Sequence, residues 1–144
     1  MQPHKEDKGE FAGWFTWPEE TFEYKTVGPF YFRKLDGQYI SRFRAEQRHM
    51  NAGDVMHGGC LMSFADFALF AIASEHFHDG GYGATVAFNC EFIQGPRVGD
   101  LMEAKGEVVR AGRSIIFVRG QVFGNEKICL NFSGTIKKFR PRET

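Results

Sequence analysis

The chain has no excess of charge of either sign and no apolar run long enough to cross a membrane. Lysine plus arginine and aspartate plus glutamate each number 18 among 144 residues, which argues against a nucleic-acid backbone or an anionic membrane surface as the main partner. The apolar run of residues 61–74 is shorter than the roughly 20 residues that span a bilayer, and the polar N-terminus has no apolar signal core. We therefore expect a cytoplasmic protein that binds no nucleic acid and does not insert into a membrane.

Cysteine is scarce, and its spacing is not that of a metal site or a disulfide framework. Cys60, Cys90 and Cys129 are odd in number and contain no Cys-X-X-Cys pair, so reduced, buried thiols are the expected state. His76 and His78 stand close together, but no third ligand is near them in the sequence. We assign no metal.

Phenylalanine, by contrast, is abundant. The 16 phenylalanines exceed what one small core needs, which indicates a further apolar surface at an oligomer interface or in a ligand channel. The chain has no repeat or linker, and its length fits one domain. We divide it into an N-terminal segment, residues 1–28, and a folded domain, residues 29–140. We expect residues 1–10 to be disordered and the aromatic residues 11–28 to pack on the domain or a dimer partner, with a lid over an acyl pocket as the alternative.

The remaining pattern predicts one long helix and an antiparallel sheet. The helix is expected to run from near Gly58 to His78, where Asp79-Gly80-Gly81 would end it. Asp36-Gly37 separates two β-rich stretches and predicts a hairpin. Four stretches of alternating apolar residues follow the helix, and turns join the last three into a meander. We predict an α+β domain in which a curved antiparallel sheet of five to six strands wraps around the central helix.

Three glycines, Gly106, Gly120 and Gly134, fall in the middle of predicted strands on the inner face. A mid-strand glycine often marks the close approach of another backbone. We expect that backbone to be the apolar helix.

One carboxylate stands in the most apolar part of the chain. Asp66 is the only charged residue among residues 61–74, and burying a carboxylate is costly unless donors or a partner charge meet it. His57 and Gly58-Gly59 come just before this run, and Asn51 lies six residues before the histidine. The grouping of a carboxylate, a helix N-terminus, an imidazole and an amide indicates a chemical site, with a purely structural carboxylate as the alternative.

The helix geometry separates two parts of this site. Gly58 and Asp66 are eight positions apart, which is roughly 12 Å along one helix. The free amides at a helix start form an oxyanion site, whereas a carboxylate must lie within about 3–3.5 Å of the carbon on which it acts. One helix cannot do both for one carbonyl, so the sequence predicts a homodimer with sites that join Gly58 of one subunit to Asp66 of the other.

Residues 51–59 (NAGDVMHGG), followed by Asp66 in an apolar helix, resemble the hot-dog-fold acyl-CoA thioesterases of the 4-hydroxybenzoyl-CoA thioesterase superfamily. The most similar branch is the phenylacetic-acid-degradation (PaaI-like) type, and the similarity extends over residues 39–138. The resemblance implies a hot-dog fold and hydrolysis of an acyl-CoA thioester to the free acid and coenzyme A. It also implies no metal, no cofactor beyond the coenzyme A of the substrate, and a homodimer or a dimer of dimers.

The resemblance further implies a role for each residue of the motif. Asp66 acts as general base for water or as nucleophile on the thioester carbon, and the N–H of Gly58 polarises the thioester oxygen. Asn51 helps to position the carboxylate, water or carbonyl, and His57 supports the loop. The hydroxyl of Thr85 orients water or the carboxylate. The residues assigned to substrate binding are Gly59, Ser63 and Arg113.

Three alternatives stay open at this point. Cys60 at the helix start could act as a nucleophile, because thiol pKa values fall at helix N-termini, although burial is the preferred interpretation. His57 with a carboxylate could instead form the acid–base pair of a hot-dog enoyl-CoA hydratase. The same fold could also serve as a non-catalytic acyl-CoA-binding protein.

Overall fold

The computed structural model describes residues 2–77 and 80–141. Within these residues one α-helix, α1, packs against a single antiparallel sheet of eight strands in the order β1-β2-β3-β4-β6-β7-β8-β5. The helix spans Gly58–Ile72. The strands are β1 His4–Lys5, β2 Phe15–Thr16, β3 Tyr31–Leu35, β4 Gln38–Arg44, β5 Tyr82–Phe92, β6 Leu101–Ala111, β7 Ile115–Gly124 and β8 Lys127–Phe139. Short helical turns occur at Phe22–Thr26, Gln47–His49 and Ser74–Phe77.

The predicted architecture is confirmed, and the hairpin and meander are where the sequence places them. Asp36 and Gly37 join β3 to β4 with φ values of 50° and 80°, the left-handed conformation that a two-residue hairpin turn of this type requires. Strands β6, β7 and β8 pair in chain order, while β5 returns to pair with β8 and forms one edge of the sheet. The described residues contain no helix that is both long and apolar enough to cross a bilayer.

The N-terminal segment adds strands that the sequence analysis did not predict. His4 and Lys5 pair with Thr16 and Phe15, so the prediction of a disordered leader over residues 1–10 is wrong for this part. These extra strands also explain why five to six strands is too few. The division of the chain at residue 28 stays a prediction, although the segment before it shares the sheet.

The same segment closes a second small core on the face of the sheet opposite the helix. Phe11 and Trp14 are 8% and 7% exposed, and Phe11 stacks on Tyr31 with ring centroids 4.7 Å apart. Ile40 completes this cluster. The aromatic residues of this segment were predicted to pack on the domain, and Phe11 and Trp14 do so.

The helix is shorter than predicted. It ends at Ile72, and the chain then tightens into the turn Ser74–Phe77. The hydroxyl of Ser74 reaches the carbonyls of Phe70 and Ala71 at 3.1 and 2.6 Å. Such local side-chain bonds compete with the helical pattern. His78 and Asp79, where the predicted helix ends, lie outside the described residues.

The prediction for the mid-strand glycines is right at one position only. A Cβ on Gly134 would stand 2.4 Å from Leu69 Cδ1 of the helix, so this glycine admits the helix. Gly106 and Gly120 instead face each other across β6 and β7. A Cβ on Gly106 would stand 2.1 Å from the carbonyl oxygen of Arg119, so these two glycines permit close packing between strands.

Candidate active site

Asp66 lies on the middle of α1 and meets a hydroxyl from the edge strand. Thr85 Oγ1 donates a hydrogen bond to Asp66 Oδ1 at 2.6 Å. The strand bulges between Thr85 and Ala87, and a bulge re-aims the side chains beside it. The second carboxylate oxygen of Asp66 accepts no hydrogen bond from the part of the chain that the structure describes. One oxygen is therefore fixed, and the other remains for a substrate or a water molecule.

Asp66 opens into a cavity of about 480 Å³. Six aromatic rings contribute to its wall, from the helix, the following turn, β3, β5 and the N-terminal segment. The rings are those of Trp17, Phe32, Phe67, Phe70, Phe77 and Tyr82. The cavity explains part of the large number of phenylalanines. It also places an apolar space beside the half-buried carboxylate, large enough for an organic group.

The N-terminus of α1 forms a second part of the candidate site, separate from the cavity at Asp66. The ring of His57 caps it, because Nδ1 accepts the N–H of Gly59 at 2.8 Å. The N–H of Gly58 has no hydrogen-bond partner among the described residues. Gly58 lines a separate cavity of about 320 Å³ together with Phe92 and Gln94. An unused amide with the positive end of the helix dipole behind it suits a developing oxyanion.

The structure leaves Gly58 and Asp66 of one chain in different cavities. They belong to the same straight helix, eight residues apart, which is roughly 12 Å. The distance argument from the sequence therefore applies to the folded chain. We call these two places half-sites: the Gly58 half-site at the helix N-terminus and the Asp66 half-site at the aromatic cavity. Neither half-site holds both an oxyanion donor and a carboxylate.

Asn51 belongs to the Gly58 half rather than to Asp66. Its Oδ1 accepts the N–H groups of Gly53 at 2.9 Å and Val55 at 3.3 Å, a local turn that shapes the loop before the helix. Asn51 has no hydrogen bond to Asp66 of its own chain. Its predicted role in positioning the carboxylate, water or carbonyl stays a prediction.

The three predicted substrate-binding residues are dispersed. Gly59 is exposed at the helix start, and Ser63 Oγ donates to its carbonyl oxygen at 2.8 Å. Arg113 is exposed in the turn between β6 and β7, without a described contact to Gly58 or Asp66. Their contact with substrate stays a prediction.

The sequence alternative of a nucleophilic Cys60 is disfavoured. The thiol is buried, with 7% of the residue exposed, and this burial raises the pKa of Cys60 to about 12. A thiol acts as a nucleophile through its thiolate. Cys60 is therefore protonated at neutral pH and serves as a core residue.

Two features near the site were missed by the sequence analysis. Trp17 and Glu23 line the Asp66 cavity, and the only signal for them was the aromatic character of the segment, for which a lid was the alternative. His49 is 4% exposed. Its Nε2 lies 2.7 Å from the carbonyl oxygen of Val27, and its Nδ1 accepts the N–H of Glu46 at 3.0 Å.

His49 also contacts the motif of residues 51–59, because its carbonyl oxygen accepts the N–H of His57 at 2.9 Å. It thereby connects the N-terminal segment to the residue that caps α1. Burial lowers the pKa of His49, in agreement with a neutral ring whose Nδ1 accepts a hydrogen bond. No sequence pattern distinguishes such a histidine from a surface one.

The comparisons with known proteins agree with the fold. The model of the thioesterase superfamily matches residues 53–128, just over half of the chain, and the chain belongs to that superfamily. The matched region includes Gly58, Asp66 and Thr85, whereas Asn51 and the N-terminal segment lie before it. The predicted family and the hot-dog fold are confirmed.

Two curated relatives are named as putative esterases. The Thermoplasma acidophilum protein is 30% identical over 73% of this chain and 79% of its own length. The Pseudomonas aeruginosa protein is 28% identical over 75% and 81%.

Two solved structures share the fold at low sequence identity. A Streptococcus pneumoniae thioesterase protein, determined with coenzyme A, superposes with a TM-score of 0.73 at 18% identity, covering 85% of this chain and 95% of that chain. The E. coli PaaI protein from the phenylacetic acid degradation operon superposes with a TM-score of 0.70 at 19% identity, covering 81% and 83%.

Proposed function

We propose that the protein hydrolyses an acyl-CoA thioester to the free acid and coenzyme A. The observation that carries this proposal is Asp66, a carboxylate on an apolar helix that is fixed by Thr85 through one oxygen and faces an aromatic cavity. A site that only binds an apolar acyl group gains nothing from a half-buried charge, because the charge must be desolvated when the group enters. A site that activates water needs such a charge.

The chemistry requires two parts of the site at once. Asp66 removes a proton from water, the water oxygen attacks the thioester carbon, and the carbon–sulfur bond then breaks to release the thiol, which takes up the proton. As the alternative, Asp66 attacks the carbon itself, and the carbon–sulfur bond breaks to expel the thiolate. Water then hydrolyses the resulting anhydride, which restores the carboxylate of Asp66 and supplies the proton that the thiolate takes up. In both cases negative charge develops on the thioester oxygen, and the N–H of Gly58 stabilises it.

The site is completed in a homodimer, in which Gly58 of one subunit lies beside Asp66 of the other. The free edge of the sheet supports this proposal. Strand β5 has eleven residues and pairs on one side only within residues 2–77 and 80–141, and Val86 and Phe92 are 57% and 55% exposed. A long apolar edge strand is a surface that proteins normally cover. A second copy, related by a two-fold axis, would cover it and set two helices antiparallel.

The proposal that coenzyme A is the thiol part of the substrate rests on proteins that share the fold. The Streptococcus pneumoniae protein with the same fold was determined with coenzyme A, and no cofactor beyond the substrate is proposed. Gly59, Ser63 and Arg113 remain the proposed contacts of this part of the substrate.

The experiment is thiol release from a panel of acyl-CoAs by Asp66→Asn. This substitution keeps the shape of the side chain and removes the charge, and we expect a loss of at least about a hundredfold in kcat. Asp36→Asn is the matched control, because Asp36 is exposed in a hairpin turn at φ 50°, where asparagine is equally suited. Unchanged turnover in the Asp66 variant would overturn the proposal.

The same panel separates the two alternatives. Hydration of an enoyl-CoA without thiol release would identify a hydratase, and binding without turnover would identify a sensor. His57 argues against the first, because its Nδ1 already accepts the N–H of Gly59 and is therefore not free to act as a base.

A further inference from the structure

The cavity beside Asp66 contains a second acidic residue that the proposed hydrolysis does not use. Glu23 lies in the turn Phe22–Thr26 and lines the cavity together with Asp66. Its backbone carbonyl is already engaged, because it accepts the N–H of Phe30 at 3.1 Å. The carboxylate of Glu23 has no hydrogen bond or ion pair with the described residues, so it is available to a group that enters the cavity.

The rest of the described wall offers no positive charge. It consists of aromatic rings, glycines and a few small or uncharged polar residues, and it includes no lysine or arginine. The hydroxyl of Ser74 is engaged with backbone carbonyls of the helix. A group that enters the cavity therefore meets two acidic side chains in the wall, in a partly enclosed space where Coulomb interactions are stronger than in water. Lys138 Nζ lies 5.8 Å from the ring centroid of Phe77, but Lys138 itself is not part of the described wall.

The N-terminal segment holds Glu23 in place from both sides. Before it, β2 pairs with β3, and Thr16 Oγ1 donates to the carbonyl oxygen of Phe30 at 2.8 Å. After it, His49 Nε2 reaches the carbonyl oxygen of Val27 at 2.7 Å. This segment lies before the residues that match the superfamily model.

On the basis of the proposed function, we propose that Glu23 selects the acyl group by its charge. The cavity takes acyl groups whose far end is neutral or positively charged, and it rejects those that end in a carboxylate. Glu23 is the specificity-determining residue, and Asp66, which acts at the thioester end, is not. Trp17 and the phenylalanine rings supply the apolar contact for the chain between the two ends.

The test uses thioesters of equal length that differ only at the far end. Hexanoyl-CoA, its ω-trimethylammonio derivative and adipoyl-CoA form one series, and the corresponding eight-carbon compounds form a second, so that the result does not depend on one chain length. The variant is Glu23→Gln, which keeps the shape and removes the charge. Glu20→Gln is the matched control, because Glu20 is exposed in the same segment and does not line the cavity.

We expect Glu23→Gln to change the two charged substrates in opposite directions. Its kcat/KM should rise by about tenfold for the carboxylate-ended substrate and fall by about tenfold for the cationic one, with little change for the neutral one. Glu20→Gln should change none of them. A merely structural effect of the substitution would move all three substrates in the same direction.

Two results would overturn the inference in distinguishable ways. If the protein hydrolyses hexanoyl-CoA or octanoyl-CoA and Glu23→Gln leaves the charge ratios of both series unchanged, the inference fails and the proposed function stands. If no thioester of the panel is hydrolysed, the proposed function fails, and the inference fails with it.

Discussion

Replacement of Gly58 by proline removes the N–H that is the proposed oxyanion donor. Gly58 is the first residue of α1, and proline is well accepted at that position because its missing N–H has no partner within the helix. The preceding residue, His57, has φ −59° and ψ 134°, a conformation compatible with a following proline. The substitution therefore deletes the proposed oxyanion donor and leaves the helix intact.

The expected loss follows from the role of the donor. Removal of a single oxyanion-hole donor costs about 2.7–4 kcal/mol, or roughly a hundred- to a thousandfold in kcat. A Cβ at this position would stand 3.1 Å from Phe92 Cε1, so the ring of Phe92 must shift slightly. The same Cβ is present in an alanine variant, so any effect of this shift is common to the proline and alanine substitutions.

Gly58→Ala is the matched control, because it adds the same Cβ and keeps the N–H. We expect its kcat to stay within a few-fold of that of the wild-type protein, while Gly58→Pro loses about a hundredfold or more. Thiol release from the best acyl-CoA measures kcat, and circular dichroism with a thermal midpoint verifies the fold. Equal kcat values for the proline and alanine variants would refute the oxyanion role of Gly58.

Two further predictions concern the groups around this site. Thr85→Val removes the hydroxyl that fixes Asp66. Loss of a charge-assisted hydrogen bond of about 1.5–3 kcal/mol should lower kcat by roughly ten- to a hundredfold with little change in KM. Thr135→Val, on the opposite face of the neighbouring strand, is the control, and equal kinetics of the two variants would contradict the role of Thr85. The second prediction concerns His49, whose pKa is lowered by burial. At a pH below about 6.5 the unfolded chain binds a proton at this histidine more readily than the folded chain does. The stabilising contribution of His49 to the free energy of unfolding should therefore be complete above about pH 6.5 and decrease as the pH falls. His49→Gln should flatten this dependence and cost about 1–3 kcal/mol in urea unfolding, whereas exposed His4→Gln should not; a pH dependence that survives in His49→Gln would show that other groups cause it.

The sequence predicted those parts of the molecule that local chemistry determines. Asp36-Gly37 predicted its hairpin because few residue pairs accept positive φ at both positions. Asp66 was recognised because a lone charge in an apolar helix is costly without a partner, and Thr85 is that partner in the structure. The separation of Gly58 and Asp66 needed only the rise of a helix.

The parts that could not be predicted depend on distant contacts. Strands β1 and β2 have two residues each, which is too short for an alternating pattern, and they form because the segment folds back onto β3. At the end of α1 the hydroxyl of Ser74 bonds to carbonyls of the helix, a local contact that the apolar pattern of the sequence does not show. The glycines Gly106 and Gly120 face each other only through the register of two strands.

The composite site is the central claim, and subunit mixing tests it directly. Asp66→Asn and Gly58→Pro are each expected to be nearly inactive as homodimers. In a mixed dimer, one site combines both defects and the other combines the intact Asp66 with the intact Gly58. Random assortment of equal amounts should therefore restore about a quarter of the wild-type activity. Activity that stays at the level of the two parents after exchange of subunits has been verified would contradict the account.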